Sequence, residues 1–362
     1  MSGVPRAETV GSLLRPSALL EARRAAEAGL RELEDAAVLD AIRLQQEAGL
    51  DVITDGELRR RGWAVTTEAL DGFEPRPGGP GLRWRDEEGE AGEAIFGPDG
   101  YPTVVRRVRP APRDVTCDYT FLREHARART KFSLPAPSYH RRFWYGEHSA
   151  AAYATCEEFL EDVRDFQRGL VAKLIDLGCD YLQLDAPNYG TLCDTDNRRM
   201  MEARGHDLDA ELAFDIALDN SLFAGFTGIT RALHVCRGNA AGKWHSTGGY
   251  ATIAPQLFSG LDVDALLLEY DSERAGDFEP LRHVRPSTVV VLGLLTTKTG
   301  RLEDAAEVEA RIQEAARIKP LAELALSPQC GFASVAVGNP VTPEEQRAKL
   351  ELVGQVARRV WP

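Results

Sequence analysis

The strongest constraint on this chain is a helix-then-strand rhythm that recurs along its length. Residues 17–49 are rich in Ala, Leu, Glu and Arg at helical spacing, and they give way to Asp51-Val52-Ile53-Thr54-Asp55-Gly56-Glu57, a strand running into a turn. The rhythm returns at 157–178 before Asp180-Tyr181-Leu182-Gln183-Leu184-Asp185 and at 207–223 before Ile229-Thr230-Arg231-Ala232-Leu233. It returns again at 251–260 before Leu266-Leu267-Leu268 and at 303–318 before Leu324-Ala325-Leu326. With Glu8-Thr9-Val10-Gly11, Lys131-Phe132-Ser133-Leu134-Pro135 and Thr288-Val289-Val290-Val291-Leu292-Gly293 the count reaches eight strands. Eight strands separated by helices predict an α/β fold closed into a (β/α)8 TIM barrel rather than an open sheet. The 362 residues, 43% of them hydrophobic, are enough to build it as a single domain over 1–362.

Two stretches break the rhythm. Residues 72–116 are rich in Pro, Gly, Arg and Glu without a helical period, and they hold two β-like pieces near Ala94-Ile95-Phe96 and Thr103-Val104-Val105. The stretch is too short to own a core, so it predicts a hairpin-like insertion over one end of the barrel after the second strand. The second irregular stretch, 138–155, carries the basic and aromatic run Arg141-Arg142-Phe143-Trp144-Tyr145.

Charge and cysteine usage narrow the function. A net charge of -13 with no basic stripe to offset it argues against a nucleic-acid partner. The N-terminal Met1-Ser2-Gly3-Val4-Pro5-Arg6 lacks the apolar core of a signal peptide and no run is long enough to cross a bilayer, so a soluble cytoplasmic protein is expected. Six scattered cysteines make no disulfide framework. Cys117, Cys156, Cys179 and Cys193 read as incidental, whereas Cys236 and Cys330 each end a strand-like run followed by a glycine-containing turn.

In a barrel of this kind, functional residues gather where the strands end. Ser12 follows the first strand, Asp55 and Glu57 the second, Asp185 the fourth, and His234 with Cys236 the fifth. Glu269 follows the sixth, Lys298 the seventh and Cys330 the eighth. Alternation along the fifth strand puts His234 and Cys236 on one face. A histidine and a cysteine beside an apolar strand also fit plain core packing; the company of Glu269 and of Cys330 in Ser327-Pro328-Gln329-Cys330-Gly331-Phe332 points instead to a Zn2+ site. His234, Cys236 and Cys330 make three firm ligands and Glu269 the weakest, a carboxylate that an incoming thiolate could displace. Two thiolates lower the Lewis acidity of such a metal, which suits activation of a soft sulfur nucleophile better than generation of hydroxide.

The pattern His-x-Cys, a later Glu ending an apolar strand, and Ser-Pro-x-Cys-Gly resembles the zinc site of the cobalamin-independent methionine synthase family, specifically its catalytic C-terminal barrel. The likeness runs from Val10-Gly11-Ser12 to the C-terminus. It implies that Gly11 and Ser12 hold the carboxylate of homocysteine, and that Glu57 of Asp55-Gly56-Glu57 and Asp185 of Leu184-Asp185-Ala186-Pro187 grip its ammonium. It thus implies a zinc-dependent methyl transfer to a small-molecule thiol, homocysteine giving methionine, from a methyl-folate or a methylcorrinoid, the latter carried by a corrinoid protein. Acids at these positions are also compatible with simple helix capping.

The departures from the family pattern are specific. Ala186 stands where the family's Asp-Glu-Pro has Glu, and Thr296 and Lys298 stand where the large enzymes carry an Asp and a His for proton transfer. Lys298 is accordingly a candidate catalytic acid or anion clamp beside Glu57 and Asp185, or a solvated lysine. Trp144 is a candidate for stacking on a pterin, or part of a loop-packing cluster. These 362 residues are expected to correspond to the catalytic barrel without the N-terminal barrel of the large enzymes, so the chain resembles the short, single-barrel relatives. Alkyl transfer to another thiol of the coenzyme M transferase kind, C–S bond cleavage, and a non-catalytic zinc barrel are the competing readings. Oligomeric state is not legible.

Overall fold

The computed structural model describes residues 3–25, 29–76, 84–90 and 101–362. Six parallel strands form one continuous ladder in chain order: Phe132–Pro135, Tyr181–Asp185, Thr230–Val235, Ala265–Glu269, Val289–Leu295 and Leu324–Pro328. Val52–Ile53 pairs in parallel with Arg129–Thr130 just before the first of these. The circle closes through the N-terminal segment, where Ala7 bridges Leu326 and Glu8 bridges Val52, both parallel. The fold is therefore the α/β TIM barrel predicted from the helix-strand rhythm. The ladder strands are buried on almost every residue, because helices cover the outside and side chains fill the inside.

Several elements differ in extent from the sequence pattern. The first strand was expected over Glu8-Thr9-Val10-Gly11, but its ladder pairing stops at Glu8 because later carbonyls are taken by side chains: Gln183 Nε2 donates to Val10 O at 3.0 Å and Thr54 Oγ1 to Gly11 O at 2.7 Å. The helical stretch 17–49 is two helices, Ser17–Ala25 and Leu30–Glu47, and Gly29 sits at φ 91° before the second. The connection after Ala265–Glu269 carries only the short 3-10 turns Glu273–Ala275 and Glu279–His283. The closing helix Pro343–Val360 starts on a reciprocal cap: Thr342 Oγ1 accepts from Glu345 N at 3.2 Å, and Glu345 Oε2 accepts from Thr342 N at 2.7 Å. It buries Leu350, Val353 and Val356 against the barrel.

Between the second and third strands the chain makes an antiparallel excursion, Leu70–Arg76 against Tyr101–Pro110, with a small pair Arg85–Asp86 against Gly89–Glu90. Thr103-Val104-Val105 lies in the longer strand, while Ala94-Ile95-Phe96 falls outside the described residues. The excursion returns over the barrel mouth. Arg85 bridges Trp244, its N–H donating to Trp244 O at 2.7 Å, and Arg85 Nη1 reaches Asp194 at 2.9 Å. Among the described residues no helix is long and apolar enough to cross a membrane.

The barrel interior is small and partly charged. Val10, Val52, Tyr181, Ala232, Ala265, Leu267, Val291 and Ala325 pack there as a separate cluster. Lys131 Nζ lies 2.5 Å from Glu8 Oε2 and donates to Gln183 Oε1 at 2.7 Å, and Tyr181 Oη donates to Glu8 Oε1 at 3.0 Å. A second buried anchor is Asp219, on the helix Leu208–Phe223. It accepts from Ser138 N at 3.0 Å, Ser138 Oγ at 2.7 Å and Tyr189 Oη at 2.6 Å, fixing the turn Pro137–Phe143 above the third strand.

Two stability predictions follow from these anchors. Lys131→Met leaves Glu8 buried and uncompensated, so urea unfolding is expected to show a loss of about 3–5 kcal/mol. Burial pushes the Asp219 carboxyl up to about 7, against the opposing hydrogen bonds from Tyr189 and Ser138. The folded state therefore keeps a proton that the unfolded chain releases near its ordinary value, and stability from this group falls as pH rises from about 4 to about 7. Asp219→Asn should flatten that part of the thermal-melting profile; an unchanged profile would refute the assignment.

Candidate metal centre

The strand register brings the site together. Asp185 is the cross-strand partner of His234, and His234 is the partner of Leu267. The ligand atoms of His234, Cys236 and Cys330 all lie within 4.8 Å of one another, and all three residues are buried. His234 Nδ1 bonds to the carbonyl of Leu267 at 3.1 Å, which fixes the ring and leaves Nε2 buried with no hydrogen-bond partner among the described residues. That is the arrangement of a metal-binding histidine, with one nitrogen oriented by a backbone acceptor and the other free. Burial pulls His234 down, but Cys330 and Asp185 outweigh it and raise the imidazole above its ordinary value. The hydrogen bond from Cys236 and the approach of His234 draw the Cys330 thiol well down despite burial, while Cys236 is driven up by the same contact and by burial. The two sulfurs thus stand as soft donors beside an imidazole. The set fits zinc.

Glu269 stands beside this trio rather than in it. Its Oε2 accepts from the Arg237 backbone at 2.7 Å and from Gln329 Nε2 at 2.8 Å, and its Oε1 faces Arg274 at 3.1 Å and Lys298 at 3.5 Å. Burial pushes this carboxyl up, but Lys298, Arg274 and Arg237 together hold it well below the usual carboxylate range. Its charge is felt at the Cys236 sulfur. Lys298 is neither solvated nor on the cavity wall: it is 4% exposed, donates to Gln329 Oε1 at 2.7 Å and lies 3.6 Å from Asp271.

One cavity in front of the sulfurs is lined by Gly11, Ser12, Glu57 and Asp185 together with His234, Cys236 and Cys330. The turn after the second strand places Glu57 there through two successive left-handed residues, Gly56 at φ 68° and Glu57 at φ 56°. The latter is a strained conformation for a residue with a side chain, held by Asp55 Oδ1 accepting from Glu57 N at 2.9 Å. Ser133 Oγ donates to Glu57 Oε1 at 2.7 Å and Arg60 lies 3.5 Å away, while Oε2 has no partner among the described residues. Gly11 leaves room for this carboxylate: a Cβ there would lie 2.6 Å from Glu57 Oε1 and would displace it. Burial raises Glu57 against the pull of Arg60, and burial with Glu57 as neighbour pushes Asp185 up to about 7, opposed by His234. Ser12 meets the eighth-strand loop, where Phe332 N donates to Ser12 O at 2.8 Å. A Cβ on Gly331 would lie 1.9 Å from Ser12 Oγ, so a larger residue at 331 would push the Ser12 hydroxyl aside.

Gln183 connects the barrel interior to this cavity. Its Oε1 accepts from Lys131, so its amide nitrogen is turned toward Asp185 Oδ1, to which it donates at 2.7 Å. Sequence reasoning missed Gln183 because an interior polar residue reads as one more strand position. It also missed Trp84 and His245, which line the cavity with their rings edge-on at 5.3 Å. A tryptophan in a polar, Pro/Gly-rich excursion is the signal that could have pointed to Trp84. Trp144 does not line the metal cavity; Tyr139 and Arg142, from the same irregular stretch, do, and Trp144 lies in an adjoining groove.

Residues 162–358 match the family described as cobalamin-independent synthase, catalytic domain. The uncharacterized protein YxjH of Bacillus subtilis is 36% identical over 367 residues, covering 98% of this chain and 94% of its own length, and YxjG of the same organism is 36% identical over 368 residues. A Listeria monocytogenes protein described as a vitamin-B12 independent methionine synthase superposes with a TM-score of 0.74 at 28% identity over all of both chains. A B12-independent methionine synthase from Shewanella sp. W3-18-1, solved with selenomethionine, shares the fold with a TM-score of 0.75 at 20% identity, over 99% of this chain and 98% of that one. A sequence match over more than half its length, and relatives aligned nearly end to end, place this chain in the cobalamin-independent methionine synthase family.

Proposed function

We propose that this protein is a zinc-dependent thiol S-methyltransferase whose acceptor is homocysteine. The observation that carries the reading is the convergence in one cavity of a free His234 Nε2, two sulfurs, and two carboxylates, Glu57 and Asp185. His234, Cys236 and Cys330 would hold the zinc, and Glu269 would be the labile fourth ligand, since its oxygens already have partners. When bound, zinc supplies the acidity that keeps a substrate thiol as a nucleophilic thiolate toward the donor's methyl group.

The chain's own residues then do the positioning. The unpartnered Glu57 Oε2 and the Asp185 carboxylate accept from the substrate ammonium, and binding that cation offsets their mutual repulsion. Gly11 and Ser12, which line the same cavity, offer a backbone and a hydroxyl donor to the carboxylate. Holding the amino-acid end in this way aims the sulfur at the metal site, and orientation supplies much of the rate. Lys298 acts at one remove by fixing the charge and direction of Glu269. The donor is a methyl-folate or a methylcorrinoid.

Zinc-loaded protein incubated with homocysteine and a panel of methyltetrahydrofolate, its polyglutamate, methylcobalamin and S-methyl amino acids should yield methionine by mass spectrometry with at least one donor. No methionine from any of them would sink the homocysteine reading. Dialysis against a chelator should strip zinc from Cys236→Ser and Cys330→Ser, whereas Glu269→Gln should bind it only about 10- to 100-fold more weakly than the parent. Full zinc retention by either serine variant would refute the site.

A further inference from the structure

The metal cavity and the adjoining outer groove share two wall residues, Tyr139 and Arg142. Arg142 is the one lysine or arginine lining the metal cavity among the described residues. Its neighbour Arg141 is fully committed, donating to Asp215 at 2.6 Å and to Glu157 at 3.2 Å. Arg142 makes no ion pair among the described residues, and its buried Nε has no partner. Its guanidinium is stacked on the Tyr139 ring at 4.5 Å. Tyr139 in turn packs edge-on against Trp63 at 4.5 Å, and the turn beneath is anchored through Ser138 to Asp219. The guanidinium is therefore held in place without a counter-charge. A half-buried, uncompensated cation is costly unless a ligand completes it.

The rest of the wall sharpens the chemistry. Burial, with Arg142 adding to it, pushes His245 down to about 3, so that ring is neutral and Arg142 is the permanent positive charge facing the cavity. Glu57 and Asp185 line the same cavity, and among the described residues neither forms an ion pair with Arg142. A cavity with acids and one guanidinium that has no ion-pair partner among the described residues is complementary to a ligand carrying both an ammonium and a carboxylate, or to two ligands that carry one each.

We infer that Arg142, braced on Tyr139 where the metal cavity meets the outer groove, is the recognition residue for a ligand carboxylate. This rests on the thiol methyltransferase reading of the cavity. The carboxylate belongs either to the amino-acid thiol or to an acidic methyl donor entering by the groove, and the two sources separate experimentally. Calorimetry on zinc-loaded protein compares homocysteine with 3-aminopropanethiol, its counterpart without the carboxylate, in the parent, Arg142→Met and Arg142→Lys forms. If the thiol's carboxylate is the ligand, Arg142→Met weakens homocysteine about 10- to 100-fold and leaves 3-aminopropanethiol unchanged, and Arg142→Lys falls between. If the donor's carboxylate is the ligand, homocysteine affinity is unchanged, and KM rises by a similar factor for 5-methyltetrahydrofolate but not for a methylated tetrahydropterin lacking the glutamate tail. Unchanged homocysteine affinity without such a donor effect, in a variant of parental melting temperature and zinc content, overturns the assignment. Parent protein that binds zinc but neither thiol overturns the functional reading and this inference together; equal thiol binding and donor use by parent and variant overturn the Arg142 role alone.

Discussion

Parallel register is the constraint on which the rest of this structure depends. Because the strands run in one direction and side chains alternate with a period of two, a residue's face and height fix its neighbours around the ring. Asp185 stands beside His234, His234 beside Leu267, and Glu269 one inward position further along. Cys236 follows His234 on the same face just past the end of its strand. A slip of one residue in the fifth strand would turn His234 outward and remove the site altogether. The register is held by the outer apolar shell and by an interior that is only partly apolar.

That interior ties stability to chemistry. The Glu8–Lys131 pair at 2.5 Å is sealed in the barrel, and its ammonium also orients Gln183. Gln183 passes that orientation to Asp185 at 2.7 Å and closes the short first strand by donating to Val10 O at 3.0 Å. One buried cation therefore helps set the direction of a carboxylate on the cavity wall. On the other side of the mouth the cage of Arg237, Arg274, Lys298 and Gln329 does the same for Glu269. Both carboxylates are aimed by groups that do not line the cavity; Asp185 lies on its wall, whereas Glu269 is enclosed behind it.

Much of this was legible along the chain. The helix-strand rhythm identified the barrel, and the ends of its strands identified Ser12, Glu57, Asp185, His234, Cys236 and Cys330, because strand ends are where a barrel presents polar groups. Lys298 and Trp144 show the limit of that reasoning. Lys298 does follow the seventh strand, but its side chain turns onto Glu269, Asp271 and Gln329, and nothing local announces which acids will be nearest. Trp144 sits in the right irregular stretch, yet the turn Pro137–Phe143 delivers Tyr139 and Arg142 to the metal cavity instead. Trp84 and His245 come from loops distant in sequence that meet through the bridge between Arg85 and Trp244.

The sequence by itself determined the architecture and the chemical type of the site. Periodicity is a local property, and His, Cys and Cys at strand ends are donor types that could hold a soft metal. Tertiary structure alone decided which groups are free and which are already satisfied. Among the described residues His234 Nε2, Glu57 Oε2 and Arg142 Nε lack hydrogen-bond partners, while Glu269, Lys298 and Arg141 have several. Partnering depends on contacts between residues tens to hundreds of positions apart, and no local pattern encodes it.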